Sequence, residues 1–337
     1  NILDFENLTK ENIYVLESPI LSNSQFDKFS NFFKKNIKVL DCTFDVHDSL
    51  KKKLNILRSE AEIAVREGSK NLILSDKNVN QNKAPIPMSL AIGAINSKLV
   101  ELGIRGFASI NVQTAEVLDT HSFAVLIGVG ATTVNPYLAI DSIHQRYGKK
   151  LFGKFNFEEC VDRYIKSVDN GLLKIMSKMG ISVLSAYRGG CNFEALGLSR
   201  ALVAEYFPGM ISRISGIGIF GIEKKIKELH KKAFQKNVSI LPIGGIYKYR
   251  KNGETHQYQG QLIHLLQNAV ETNSYEKYRK YSKEIYDLSV INLRDLLDFK
   301  KLKKPIPIED VEPITNIRKR FGSGSMSHGA LSAEAHE

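Results

Sequence analysis

The chain has 337 residues, 43% of them hydrophobic and 25% charged, which is the composition of an ordinary folded protein and excludes a collagen, a coiled-coil rod or a disordered tail. At about 150 residues per domain it holds two domains or one large α/β domain. Net charge is +11, from 47 Lys and Arg against 36 Asp and Glu. The three cysteines, Cys42, Cys160 and Cys191, are too few and too far apart for a disulfide framework or a Cys-only zinc site, so a reducing compartment and no metal are expected. No apolar run approaches the ~20 residues that cross a bilayer, so no membrane partner is expected. The acidic start Asn-Ile-Leu-Asp-Phe-Glu is not a signal peptide, and without an initiator Met the chain reads as an excised piece.

In chain order, Ile37 to Phe44 reads as a strand and Leu50 to Glu67 as an amphipathic helix closed by Gly68. Asn71 to Ser75 is a buried strand. Ala84-Pro85-Ile86-Pro87 feeds a helix over Met88 to Leu102, ended by Gly103. Phe107 to Val112 is a third strand. Ser122 to Gly128, apolar at almost every position, reads as a fourth strand buried on both faces. Helices follow near Pro136–Gln145 and over Phe157–Met179, then a short strand over Ile181 to Ser185. Strands alternating with helices predict a parallel α/β sheet, with a (β/α)8-type barrel favoured and a doubly wound sheet as the alternative. No repeat of fixed period is present. Lys301 to Ile308, with Pro305 and Pro307, reads as an extended linker.

Charge is concentrated between Glu223 and Lys304, with 18 Lys or Arg against 9 Asp or Glu. A nucleic-acid surface and a solvated helix face both account for it. Tyr275, Tyr278 and Tyr281 recur every third residue, which places them along one side of a helix as a packing stripe. The cations are mostly Lys interrupted by acids, and no nucleic-acid partner is expected.

Gly216-Ile217-Gly218-Ile219-Phe220-Gly221 matches a dinucleotide fingerprint. The strand before it is doubtful, and no acid stands about twenty positions on, so a glycine-rich turn opening a helix over Glu223–Phe234 is the simpler reading. Arg188-Gly189-Gly190 follows a strand and precedes a helix. Its N–H groups are a candidate anion site, with a tight βα turn as the plain alternative. Asp45 and Asp76 lie just after strands, as acid/base candidates or helix caps. His121 reads as a hydrogen-bonded core histidine. Cys191 reads as a small buried thiol that Arg188 would otherwise activate. No catalytic constellation stands out.

Longer stretches carry a resemblance that covers nearly the whole chain. They include Leu16-Glu17-Ser18-Pro19-Ile20-Leu21-Ser22, Leu72-Ile73-Leu74-Ser75-Asp76, Ala84-Pro85-Ile86-Pro87, and His121-Ser122-Phe123-Ala124 through Gly128-Val129-Gly130-Ala131. Pro136-Tyr137-Leu138-Ala139 follows, then Lys174 through Ser182, Tyr187-Arg188-Gly189, Phe193 through Leu198, and Arg213-Ile214-Ser215-Gly216-Ile217. The chain resembles the large subunit of glutamate synthases. The resemblance implies a TIM-barrel-like (β/α) central domain over 1–248. Over 249–337 it implies a linker and the incomplete start of a second (β/α)8 barrel, the FMN-binding synthase domain, on Gly253-Glu254 through His256, Leu293 through Leu297, Val311-Glu312-Pro313 and Gly324 through Ser332. Cys191-Asn192 stands where the family usually has Ala-Gln, at a position without catalytic duty.

The implied parent makes L-glutamate from L-glutamine and 2-oxoglutarate, passing ammonia internally and reductively aminating on FMN, with an iron–sulfur cluster. This segment would be its non-catalytic spacer, binding no cofactor alone. Met326, Ser327 and Gly329 would lie near the flavin of the full-length enzyme. The implied partners are the glutamine amidotransferase and FMN synthase domains of the same polypeptide, and either a small NAD(P)H-oxidising subunit or ferredoxin. The implied location is the cytoplasm or a plastid. The alternative is a free-standing barrel protein that binds a phosphorylated ligand or FMN near Arg188.

Overall fold

Short runs supply the strands. They are β1 (Ile37–Asp41), β2 (Thr43–Asp45), β3 (Asn71–Ser75), β4 (Lys83–Pro85), β5 (Ser109–Gln113) and β6 (Thr133–Asn135), with alternating large aliphatics in β1, β3 and β5 and a single apolar residue at the centre of the three-residue strands. In the computed structural model, which describes residues 14–235, 244–245, 248–301, 304–322, 324–327 and 333, the chain divides into two compact units, Asn1–Asn237 and Val238–Glu337.

In the first unit β1, β3, β5 and β6 form a four-stranded parallel sheet in that order, and β2 pairs antiparallel with β4. Each strand of this sheet pairs with the sheet's next member along the chain, across a connection that contains a helix. Alternation sends Leu40, Leu72, Leu74, Ile110, Val112 and Val134 into the main core. There they meet α2 (Leu50–Arg66), α3 (Met88–Glu101) and α4 (Thr120–Gly128), together with Val161, Ile165, Val168, Leu172 and Met176, which descend one face of a later helix (Phe157–Lys178). On the opposite face Ile73 packs with Leu21 and with Phe26 and Phe29 of a helix over Asn23–Phe32.

The rest of that opposite face is polar and still largely covered. Asn71, Asn111, Thr133 and Asn135 are all buried. They bond along the sheet: the Thr133 hydroxyl donates to Asn111 Oδ1 (2.8 Å), and Asn111 Nδ2 reaches Asn71 Oδ1 (3.3 Å) and Ser109 Oγ (3.2 Å). A second row runs from Ser75 Oγ to Gln113 Oε1 (3.1 Å), from Gln113 Nε2 to Asn135 Oδ1 (3.2 Å), and from Asn135 Nδ2 to the Leu21 carbonyl (2.9 Å). Buried amides survive because their partners are supplied across the strands. At the sheet's edge Ile20 bridges Val134 in parallel.

Two helices lack a cap of their own and borrow one. Leu50 N–H of α2 donates to Glu223 Oε2 (2.9 Å), and Met88 N–H of α3 donates to Glu116 Oε2 (2.7 Å). Both carboxylates are remote in sequence and sit where the helix's first amides are unpaired.

Three sequence expectations are corrected. Ser122 to Gly128 is not a strand: it lies in α4, whose first turn is capped by Asp119 accepting from Ser122 N–H (3.0 Å). A short apolar run buried all round has no periodicity to separate strand from helix, and the Asp cap decides it. Ile181 to Ser185 is not a strand. Gly180, at φ 70°, ends the preceding helix, and Ile181 N–H turns back to the Met176 carbonyl (2.9 Å) while Gly180 N–H bonds Ser177 (3.1 Å). This is a helix stop with its apolar residue folded back. Ile37 to Phe44 is not one strand, because it breaks at Cys42 between β1 and β2, which lie in different sheets.

The remaining elements of the first unit are α5 (Tyr137–Gly148), α6 (Phe157–Lys178), α7 (Leu184–Tyr187), β7 (Glu194–Leu198), α8 (Arg200–Tyr206), β8 (Ile211–Ile217) and α9 (Ile219–Ala233). The doubtful strand around Met210–Ile214 is real and parallel to β7.

In the second unit α10 (Gly260–Glu271) packs against α11 (Tyr275–Tyr286), and a short α12 (Ile314–Arg318) follows. The ring centroids of Tyr275, Tyr278 and Tyr281 succeed one another at 6.3 and 6.0 Å along one side of α11. Arg320 grips Glu312 with two bonds of 2.6 Å. Among the described residues no helix is long and apolar enough to cross a membrane.

Candidate functional site

The two edges of the parallel sheet differ in chemistry. At the C-terminal edge, where open α/β sheets usually bind ligands, Asp76 is fully buried. Its carboxylate accepts from Thr114 Oγ1 (2.6 Å) and Ala115 N–H (3.0 Å), so it ties the end of β3 to the loop after β5. It caps no helix. Asp45 accepts from His47 N–H (2.8 Å) and closes a turn. Cys42 is buried beside them, and burial, then Asp76 and Asp41, raise its thiol far above the ordinary value, which makes it inert.

At the N-terminal edge a cavity of about 730 Å³ opens between the starts of β3 and β5, the loop before β6, and the turns around Arg188 and Pro208. Lys70, Arg105 and Arg188 line it, and among the described residues no Asp or Glu does. Arg105 sits in a 3-10 turn between α3 and β5 and clamps three segments. Its Nε donates to Asn96 Oδ1 (2.7 Å), one terminal nitrogen to the Ala108 carbonyl (2.6 Å) and the other to Gly130 (2.9 Å). Arg188 donates to Thr132 Oγ1 (2.8 Å). Burial, then the charge of Arg188, pushes Arg105 down to about 10, and burial lowers Arg188. Both remain cations at neutral pH. Among the described residues neither is ion-paired.

Tyr206, also in the wall, is fully buried, with the Arg58 guanidinium 4.6 Å from its ring centroid and its hydroxyl beside the Glu205 carboxylate. Burial, then the Glu205 charge, pushes that phenol up to about 12, while the Glu205 carboxylate itself is held by Arg58 (3.1 Å).

The N–H groups of Gly189 and Gly190 do not face this cavity as free donors. Gly189 N–H bonds the Gly128 carbonyl (2.9 Å) and Gly190 N–H bonds Tyr187 (3.3 Å). The side chain of Arg188, not a backbone cradle, is what the turn presents. Arg105 escaped the sequence reading. Its one local signal is the pair of glycines, Gly103 and Gly106, around it.

Two sequence expectations fail here. Cys191 is exposed, at φ 52°, and lines the cavity. His121 is exposed on the first turn of α4, its ring edge-on to Phe193 at 6.2 Å. The fingerprint-like glycines serve packing: a Cβ on Gly216 would strike the Gly197 backbone of the neighbouring strand, and Gly218 is the cap residue of α9. Met326 and Ser327 are exposed in the second unit, and Gly329 lies outside the described residues.

Two family models match the chain in succession: the glutamate synthase central domain over residues 1–199, and the conserved region in glutamate synthase over 256–337. The chain belongs to the glutamate synthase family. It is 50% identical over 339 residues to the glutamate synthase [NADPH] large chain of Azospirillum brasilense, covering 100% of this chain and 22% of that one. It is 38% identical over 323 residues to the glutamate synthase [NADPH] large chain of Bacillus subtilis (96% and 21%). It is 39% identical over 338 residues to the chloroplastic ferredoxin-dependent glutamate synthase of Oryza sativa subsp. japonica (96% and 21%). The chain thus spans about a fifth of the length of these relatives.

Proposed function

We propose that the chain is the central segment of a longer glutamate synthase, 1–248, joined to the start of its FMN-binding synthase domain, 249–337, and that it acts by position rather than by chemistry. The observation that carries this is the 50% identity over the whole chain to about a fifth of a larger enzyme. The parent would make L-glutamate from L-glutamine and 2-oxoglutarate, with FMN and an iron–sulfur cluster supplied by parts outside this segment. The segment's work is to hold two reaction centres at a fixed separation and to keep ammonia from water between them.

A rigid parallel sheet with covered faces suits that role. The pairing of each strand with its successor, without the reversal of order that marks a doubly wound sheet, supports a relative of the (β/α) barrel. Met326 and Ser327 are exposed on a Gly/Ser-rich segment, and the residues present do not by themselves wall a flavin site. They serve at most as one edge of a site completed by the longer chain, and no chemical step is assigned to them. The partners under this reading are the flanking amidotransferase and synthase domains, with an NAD(P)H-oxidising subunit or ferredoxin as electron source. The location is the cytoplasm or a plastid.

An immunoblot of source cells with antibody to this chain tests the reading. The 22% share and the mass of 37.8 kDa predict a band at roughly 4.5 times that mass. A band at 37.8 kDa, or glutamine- and 2-oxoglutarate-dependent turnover by the isolated chain, refutes it.

A further inference from the structure

Among the described residues, the cavity at the N-terminal edge of the sheet is lined by the cations Lys70, Arg105 and Arg188 and by no Asp or Glu. Two of these cations are guanidiniums close enough for one to depress the other. Burying like charges together is costly unless an opposite charge joins them. At about 730 Å³ the space lies within the ~300–1,000 Å³ range of small-molecule sites.

We infer that this cavity is a binding site for a small oxyanion, a phosphate or a carboxylate group, held by Arg188 and Arg105 with Lys70 at the mouth. The planar guanidinium fork matches both anions. Arg105 is already committed to three acceptors, so it contributes mostly charge, and Arg188, with one bond to Thr132, contributes the free donors. The site lies at the sheet edge opposite to that holding Asp76. It does not depend on the parent's reaction, and its failure would leave the spacer reading untouched.

Cys191 lines the same cavity and is exposed, whereas Cys42 and Cys160 are buried, so its alkylation reports occupancy. The full chain is treated with iodoacetamide in inorganic phosphate, in succinate and in chloride at equal ionic strength. Modification of each cysteine is then followed by mass spectrometry. Saturable slowing of Cys191 by about threefold or more at about 10 mM phosphate or succinate, relative to chloride, is the expected result. Slowing by phosphate alone assigns a phosphoryl group, and slowing by both assigns oxyanions in general. R188Q should lose the effect while R188K keeps part of it. K70Q, at an exposed position, gives a second variant should R188Q fail to fold, and it should raise the phosphate concentration needed. Equal Cys191 rates in phosphate, succinate and chloride, or protection unchanged in R188Q, overturns the inference.

Discussion

The polar ladder on the α1 face of the sheet, where α1 is the helix Asn23–Phe32, makes a prediction that runs against hydropathy. Asn111 is buried in β5, and replacing it with the near-isosteric leucine, N111L, adds apolar burial worth about 2 kcal/mol. The same change removes the acceptor of the buried Thr133 hydroxyl (2.8 Å), which costs about 1–3 kcal/mol for an unsatisfied group. It also removes the longer bonds from Asn111 Nδ2 to Asn71 and Ser109, worth about 1 kcal/mol together or somewhat more. Losses of about 2–4 kcal/mol against a gain of about 2 leave N111L about 1 kcal/mol less stable than wild type, and about 2 at most. In urea, at a slope of about 2 kcal/mol per M, that is a midpoint lower by about 0.5–1 M. Adding T133V removes the orphaned hydroxyl, so the double variant should recover most of the loss. N111L as stable as wild type, or a double variant no better than the single, would show that the ladder carries no weight and that the face is merely tolerated.

Gly130 has φ 135°, and a Cβ there would lie 2.7 Å from Asn96 Cγ, on the residue that Arg105 holds. G130A should lower the urea midpoint through strain and clash together, by more than the ~1 kcal/mol usual for an exposed glycine, and an unchanged midpoint would exclude that packing. Glu223 is opposed by burial, but bonds from Lys227, from Leu50 N–H and from Ser49 outweigh it and hold its carboxyl below the ordinary value of 4.5. A depressed folded-state value means the stabilisation is complete above pH 4.5 and is lost as pH falls through the folded value. E223Q should therefore be less stable than wild type at pH 7, with the gap closing under stronger acid; a gap independent of pH would remove the carboxylate from the account.

The sequence showed its helices best where polar and apolar faces alternate over several turns. α2, α3 and α6 fall where their apolar positions and terminal glycines put them, because Leu54, Leu57 and Ala61 recur at the helical period and Gly68 and Gly103 have positive φ. β3 is legible as an apolar run. α4 is not, because a segment buried on nearly all sides loses its period, and β6 has only three residues to declare itself. The cavity was half legible. Arg188 drew notice through its glycines, but both glycine amides are spent, Gly190 within the turn and Gly189 on the Gly128 carbonyl at the end of α4. Its companion Arg105 stands 83 positions earlier in the numbering of the chain, and only the loop before β6 brings them together. The exposed Cys191 follows from a left-handed backbone that no composition rule signals.

The bridge between Ile20 and Val134 bears on how the chain acquires its fold as it is made. Leu21 N–H bonds the Val134 carbonyl (2.9 Å), Val134 N–H bonds Pro19 (2.8 Å), and the Ser18 hydroxyl reaches Asp169 Oδ1 (2.7 Å). Ile73 offers these early residues an apolar partner sooner, but their backbone bonds to β6 and the Ser18 bond wait until well over a hundred later residues have left the ribosome. Synthesis proceeds at about 5–20 residues per second, so Leu21, Phe26 and Phe29 spend several seconds without the strand that fixes their register. The apolar stretch Ile20–Phe29 therefore stays without its fixed register for longer than β1, β3 and β5, and it is the part of this unit most in need of a chaperone's cover.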